Sequence, residues 1–183
     1  MTRLPGSRRV GVMALLSTTT LAGAVLYSGI GTTPDTRNHP TSSYPNLFVD
    51  EVECPHRGSA LAMGRRSEEH ARMRADRYPY DPRDGVRAVR NYQTAESCYK
   101  DSGDELGVHR ARRAILALTT RVNTDYAAAR LNLFNALEQE QWSVALSEIR
   151  RLLLLTDHIR RHEYVEWLDE IIGRVAANAS TES

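Results

Sequence analysis

From Gly58 onward, apolar residues recur at three- and four-residue steps, and almost no stretch alternates with period two. That spacing puts apolar side chains on one stripe of a helix and leaves no face for a pleated strand. An all-α domain follows, with about six helices separated by clear stop signals. Helix one, about Ser59–Tyr78, is rich in the good helix formers Ala, Arg, Met and Glu. The run Tyr78-Pro79-Tyr80-Asp81-Pro82 ends it, because neither proline can continue a helix. Asp81 or Asp84 caps helix two, about Pro82–Asp101, whose stripe is Val86, Val89, Tyr92, Ala95 and Tyr99. Ser102-Gly103-Asp104 stops that helix and starts the third, about Asp104–Arg121. Asn123 or Thr124 is expected to open helix four, to about Glu138. A Glu-Gln-Glu-Gln turn leads to helix five, Gln141–Leu155, and Thr156-Asp157 is expected to cap helix six, His158–Ala177. Six helices with short connections make three antiparallel hairpins, each burying its apolar face on the next. The helical domain is thus residues 58–177, with a tail at 178–183.

The first 31 residues read differently. Arg3, Arg8 and Arg9 come first, and Val10 to Gly31 then carries no charge. A basic start before an uncharged apolar stretch is an export signal or a membrane anchor. A spanning helix needs ~20 mostly apolar residues, and residues 10–31 reach that by including Ser17, Thr18, Thr19 and Thr20. The competing reading has a shorter apolar core, Val10–Leu21, followed by the small-x-small cleavage pattern Ala22-Gly23-Ala24. Both place the domain beyond the membrane of a bacterial envelope. It is periplasmic and tethered to the inner membrane if the segment stays, and free in the periplasm if it is cut. Residues 32–57, with Pro34, Pro40 and Pro45 among Ser and Thr, form a linker. Its last part, Asn46–Pro55, holds Leu47, Phe48 and Val52 and reads as a short extended piece packing on the domain.

Charge excludes one class of partner. The chain has 24 basic and 23 acidic residues, and without the three leading arginines the balance is slightly acidic. A near-neutral body gives no case for nucleic-acid binding. The two cysteines, Cys54 and Cys98, invite one disulfide in an oxidising compartment, the alternative being two buried thiols. No Cys-x-x-Cys or Cys/His spacing suggests a structural metal, and no cofactor is implied.

Two stretches carry a family likeness. Gly85-x-x-Ala88-x-x-x-Tyr92-x-x-Ala95 fits the second-helix pattern of a tetratricopeptide repeat (TPR), and Trp142-x-x-Ala145-x-x-x-Ile149-x-x-Leu152 is a looser copy. In such a pattern small Ala lets helices approach, and a large residue one turn on fills the neighbouring groove. The chain therefore resembles a TPR protein over roughly residues 59–155. It departs from the family in four ways: Ala88 to Ala145 is neither one 34-residue period nor two, Leu133 stands where the family usually has Gly, the Pro79–Asp84 insertion lengthens the first hairpin's turn, and helices three and four do not show the motif in phase. The resemblance implies an interaction or scaffold protein with a concave surface for peptides, and no catalysis.

Three groups of residues remain as candidate sites. Tyr78, Tyr80, Tyr92 and Tyr99 cluster around the first hairpin, where aromatics could line a peptide groove against core packing as the plainer use. Arg65 and Arg72, with Arg66, Arg74 and Arg77, give helix one a basic side that Glu68 and Glu69 partly neutralise. His158-x-x-x-His162 would put two imidazoles on one helical face beside Glu163 and Glu166, the basis of an alternative reading as a small envelope enzyme or metal-binding protein. No third ligand is spaced for it, and Ile159 stands where a zincin motif needs Glu. No Gly-rich phosphate loop or Gly-x-Ser-x-Gly elbow occurs. A plain single-domain bundle serving as a structural part or an inhibitor is the third reading.

Overall fold

The computed structural model describes residues 43–48, 51–55 and 58–181, all within the compact unit Pro34–Ser183. The expected signal or anchor (1–31) and the start of the linker lie outside the described residues. Five helices and no strand occur among those described: α1 Ala60–Arg77, α2 Pro82–Ser102, α3 Glu105–Glu138, α4 Trp142–Leu155 and α5 Glu163–Ala179. None of them is long and apolar enough to cross a membrane.

Three helix starts and one stop fall where local chemistry put them. Ser59, Asp81 and Asp104 each accept a backbone N–H of the first turn, satisfying donors that have no partner inside the helix. Gly103 ends α2 in the left-handed region, φ 74°.

Two boundaries correct the sequence reading. The expected third and fourth helices are one, the 34-residue α3. Thr120 and Thr124 turn their hydroxyls back onto the carbonyls of Leu116 and Thr120, both at 2.9 Å. A hydroxyl bonded one turn back is content inside a helix, and no Gly or Pro interrupts residues 108–138. The chain turns only after Glu138, where Glu140 takes a left-handed φ of 55° and Gln141 N–H reaches Ala136 O at 2.8 Å. The last helix begins at Glu163 rather than His158. Arg160 and Arg161 would oppose the positive end of a helix dipole, whereas Glu163 and Glu166 in the observed first turn favour it.

Each helix packs on the next in sequence, and α2 also meets α4. α2 and α4 share one side of α3, α2 along its first half and α4 along its second. Gly85 of α2 lies against Val122, and Arg151 of α4 reaches Asp125 at 3.9 Å. Arg87 of α2 bonds Asp157 beyond the end of α4 at 2.8 Å, so the two helices meet end to end over the middle of α3. The main core holds Leu133, Ile149, Leu152, Leu155 and Leu168, all fully buried. Burying each such side chain contributes about 2 kcal/mol. Leu47, only 1% exposed, joins this core from outside the helices.

Candidate functional site

The four tyrosines do not form a common surface. Tyr78, Tyr92 and Tyr99 are buried, whereas Tyr80 is 88% exposed. Tyr78 ends α1, and its hydroxyl donates to Asp125 of α3 at 2.7 Å. Burial and that carboxylate both raise its pKa. Tyr99 lies between Gly64 of α1 and Gly107 of α3. These three rings fill helix crossings, so the expected aromatic groove is not there. Arg65 and Arg72 are exposed, while Arg74 and Arg77 of the same helix grip buried Asp84 at 2.6 and 2.8 Å. The basic side of α1 is thus partly spent on holding the α1–α2 turn.

Glu68 is the centre of a second polar cluster. It accepts the Tyr99 hydroxyl at 2.5 Å and Arg110 at 3.1 and 3.0 Å, tying α1 to α2 and α3. The Arg110 hydrogen bonds hold the Glu68 carboxyl below its ordinary 4.5, against the opposing effect of burial. Burial and Glu68 together push Tyr99 up to about 12. A carboxyl whose pKa is lower folded than unfolded adds stability above its unfolded value, and that stability is lost as pH falls through the folded value. Urea midpoints should therefore fall on acidification from about pH 5 to about pH 3, and Glu68→Gln should flatten that fall. An unchanged slope in the variant would remove Glu68 from the acid response.

Cys54 and Cys98 are joined, with their Cα atoms 4.8 Å apart. The bond fixes residues 51–55 to the C-terminal end of α2. His158 and His162 share no helical face, because both precede α5. His158 Nε2 lies 3.0 Å from Leu47 O, and His162 Nδ1 accepts the N–H of Tyr164 as the helix cap. Each ring thus has a structural partner, and no group of metal ligands occurs among the described residues.

The sequence reading missed a site at the other end of the chain. Ser43–Phe48 forms a non-helical strap beside α3 and the start of α5. The Arg130 guanidinium stacks 3.7 Å from the Tyr44 ring centre, and the Tyr44 ring meets Tyr164 edge-on at 5.0 Å. Arg130 also lies 4.7 Å from the Tyr126 ring, one helical turn away. Tyr164 stacks on Trp167, which stacks on Phe134 of α3. Burial pushes Tyr126 up to about 12 and raises Tyr164 further. The Tyr126 and Tyr164 hydroxyls and Arg130 Nε are buried without a hydrogen-bond partner among the described residues. The signal in the sequence was Tyr44-Pro45 followed by Leu47: proline holds the residue before it out of the helical region while apolar neighbours still need burial.

No protein-family model matches this chain, and no curated protein and no solved structure matches it either.

Proposed function

We propose that this chain is an exported, membrane-anchored helical module that binds other proteins in a bacterial envelope, its hairpins stacked in TPR-like fashion. The observation that carries the reading is the Cys54–Cys98 bond. Such bonds persist in oxidising compartments and are rare in the cytosol. It agrees with the basic start and uncharged residues 10–31, which favour export with the arginines left inside. Binding as the task is supported by serial helix packing, which leaves long outer faces, and by a groove that already holds a non-helical segment. TPR-like stacking is supported by the burial of Gly85, Ala88, Tyr92 and Ala95 on α2 and of Ala145, Ile149 and Leu152 on α4, two helices that both pack on α3.

The test is made on the full chain in bacterial cells. Fractionation followed by thiol alkylation should find it with the inner membrane, both cysteines protected until reductant is added. Mild detergent extraction should co-purify envelope proteins. Recovery of reduced, unprocessed chain from the cytosol would overturn the reading.

A further inference from the structure

We propose that the groove between α3 and the start of α5 is the docking site of this module. Its ligand is a non-helical partner segment bearing an aromatic ring, an aliphatic residue three positions on, and a carboxylate, which replaces the chain's own Ser43–Phe48. The proposal deepens the interaction reading above and rests on it only for the ligand being a partner protein.

The resident strap shows the shape the groove accepts. Tyr44 supplies a ring that Arg130 covers and Tyr164 meets edge-on, and Leu47 supplies the aliphatic anchor in the main core. Pro45, between them, is also buried. His158 Nε2 fixes the strap backbone at Leu47 O, 3.0 Å away. Aromatic and aliphatic anchors in desolvated pockets are what dominate peptide affinity.

The strap matches the groove in shape and leaves its polar groups unmet. Tyr126 and Tyr164 are each more than nine-tenths buried, yet neither hydroxyl has a partner among the described residues, and Arg130 Nε has none. A buried donor without an acceptor is costly to keep, most of all on a cation. All three groups donate, and one is charged, so the missing complement is an anionic acceptor. A carboxylate has two oxygens and about four acceptor sites, enough for a guanidinium and hydroxyls together. The strap brings no such group: Ser43–Phe48 contains no acid, and Asn46 Oδ1 is turned to the N–H of Phe48 at 3.0 Å. Tyr44 remains 41% exposed, so the ring that covers Arg130 is open to solvent and to competition. The disulfide at Cys54 holds the chain beyond the strap, so displacement leaves the helices tied to residues 51–55. A strap on the same chain competes at high effective concentration, and a partner needs extra contacts to win. The unmet donors are where those contacts come from.

The probe is the end-blocked, fluorescent peptide Ser-Tyr-Pro-Asn-Leu-Phe, together with versions carrying Glu at each position in turn. Anisotropy is read on the full chain in detergent and on the same chain with Tyr44→Ala and Leu47→Ala. The opened chain should bind the parent peptide about ten-fold more tightly than the unaltered chain, and at least one Glu version about ten-fold more tightly again. Arg130→Met in the opened chain should abolish the second gain, so that no Glu version binds more tightly than the parent peptide, and should also weaken the parent peptide by the lost contact with its Tyr ring. If the opened chain loses its helical circular dichroism, hydrogen exchange on the unaltered chain decides. The best peptide should then release protection at residues 43–48 while α2 keeps its own. No gain on opening, a Glu preference that survives Arg130→Met, strap protection that the peptide leaves unchanged, or an opened chain that pairs with itself and ignores every peptide would each overturn the proposal. Those failures leave the compartment and co-purification results standing, and a cytosolic chain would leave the peptide affinities standing.

Discussion

Breaking the Cys54–Cys98 bond should lower the unfolding free energy by about 3–4 kcal/mol. The bond closes a loop across 44 positions of sequence, which the chain-entropy account values at about 4 kcal/mol. Little should offset that loss. Both sulfurs are buried, and a buried thiol behaves as a small apolar group that needs no new partner. The effect acts on the unfolded ensemble, so the same experiment carries a second signature. Freed of the crosslink, the unfolded chain exposes more surface, and the denaturant slope should rise as the midpoint falls. Urea titrations followed by circular dichroism, with and without reductant, measure both. The double variant Cys54→Ala with Cys98→Ala, which lacks the bond and puts no hydroxyl in the buried sites, should fall at least as far as the reduced parent. If reductant moves neither midpoint nor slope, the purified chain does not carry the bond, and the argument for an oxidising compartment loses its main support.

How much of this architecture could be read beforehand depended on where the deciding interaction lies along the chain. Starts set by a residue's own first turn were legible: Asp81 and Asp104 cap α2 and α3 as their side chains suggest, and α1 begins where expected, with Ser59 as its cap. Gly103 was legible as a stop for the same reason, since a left-handed φ is a local demand. The break expected at Asn123–Thr124 failed because a threonine can satisfy its hydroxyl either as a cap or one turn back, and sequence alone does not choose. In α3 the second option prevails, helped by Val122, Tyr126 and Ala129, which continue a single buried stripe through the junction. The late start of α5 turned on a histidine acting as cap, a role usually held by Ser, Thr, Asp or Asn. The tyrosines show where such reading ends. Tyr80 and Tyr99 both sit on the first hairpin, yet one is in solvent and the other is covered by Gly64 and Gly107, from helices before and after its own. The strap site was least legible of all, because Tyr44, Tyr126, Arg130 and Tyr164 meet only through tertiary packing.

Gly85→Ala should destabilise the fold by about 2 kcal/mol, although helix propensity alone favours alanine there by up to about 1 kcal/mol. The conflict is settled by what a new methyl meets. A Cβ on Gly85 would fall 2.4 Å from Tyr78 Cδ2 and 2.9 Å from Val122 Cγ2, well inside van der Waals contact. The ring cannot slide clear. Its hydroxyl is tied to Asp125 at 2.7 Å, and the Arg121 guanidinium covers it at 5.3 Å from the centre. The overlap must instead part α2 from α3 at the point where α1, α2 and α4 converge on the middle of α3. Truncating the obstacle should relieve most of the overlap: in a double-mutant cycle, Gly85→Ala should cost much less on a Tyr78→Ala background. Gly173→Ala supplies the control for propensity. It lies on the exposed side of α5 with nothing within 4 Å of a new Cβ, so the same substitution should raise stability there by about 0.5–1 kcal/mol. Opposite signs for one chemical change at two helical glycines would trace the difference to the Tyr78 ring. Equal signs would mean that α2 and α3 are not held at this separation, and the close packing of α2 and α4 over α3 would have to be redrawn.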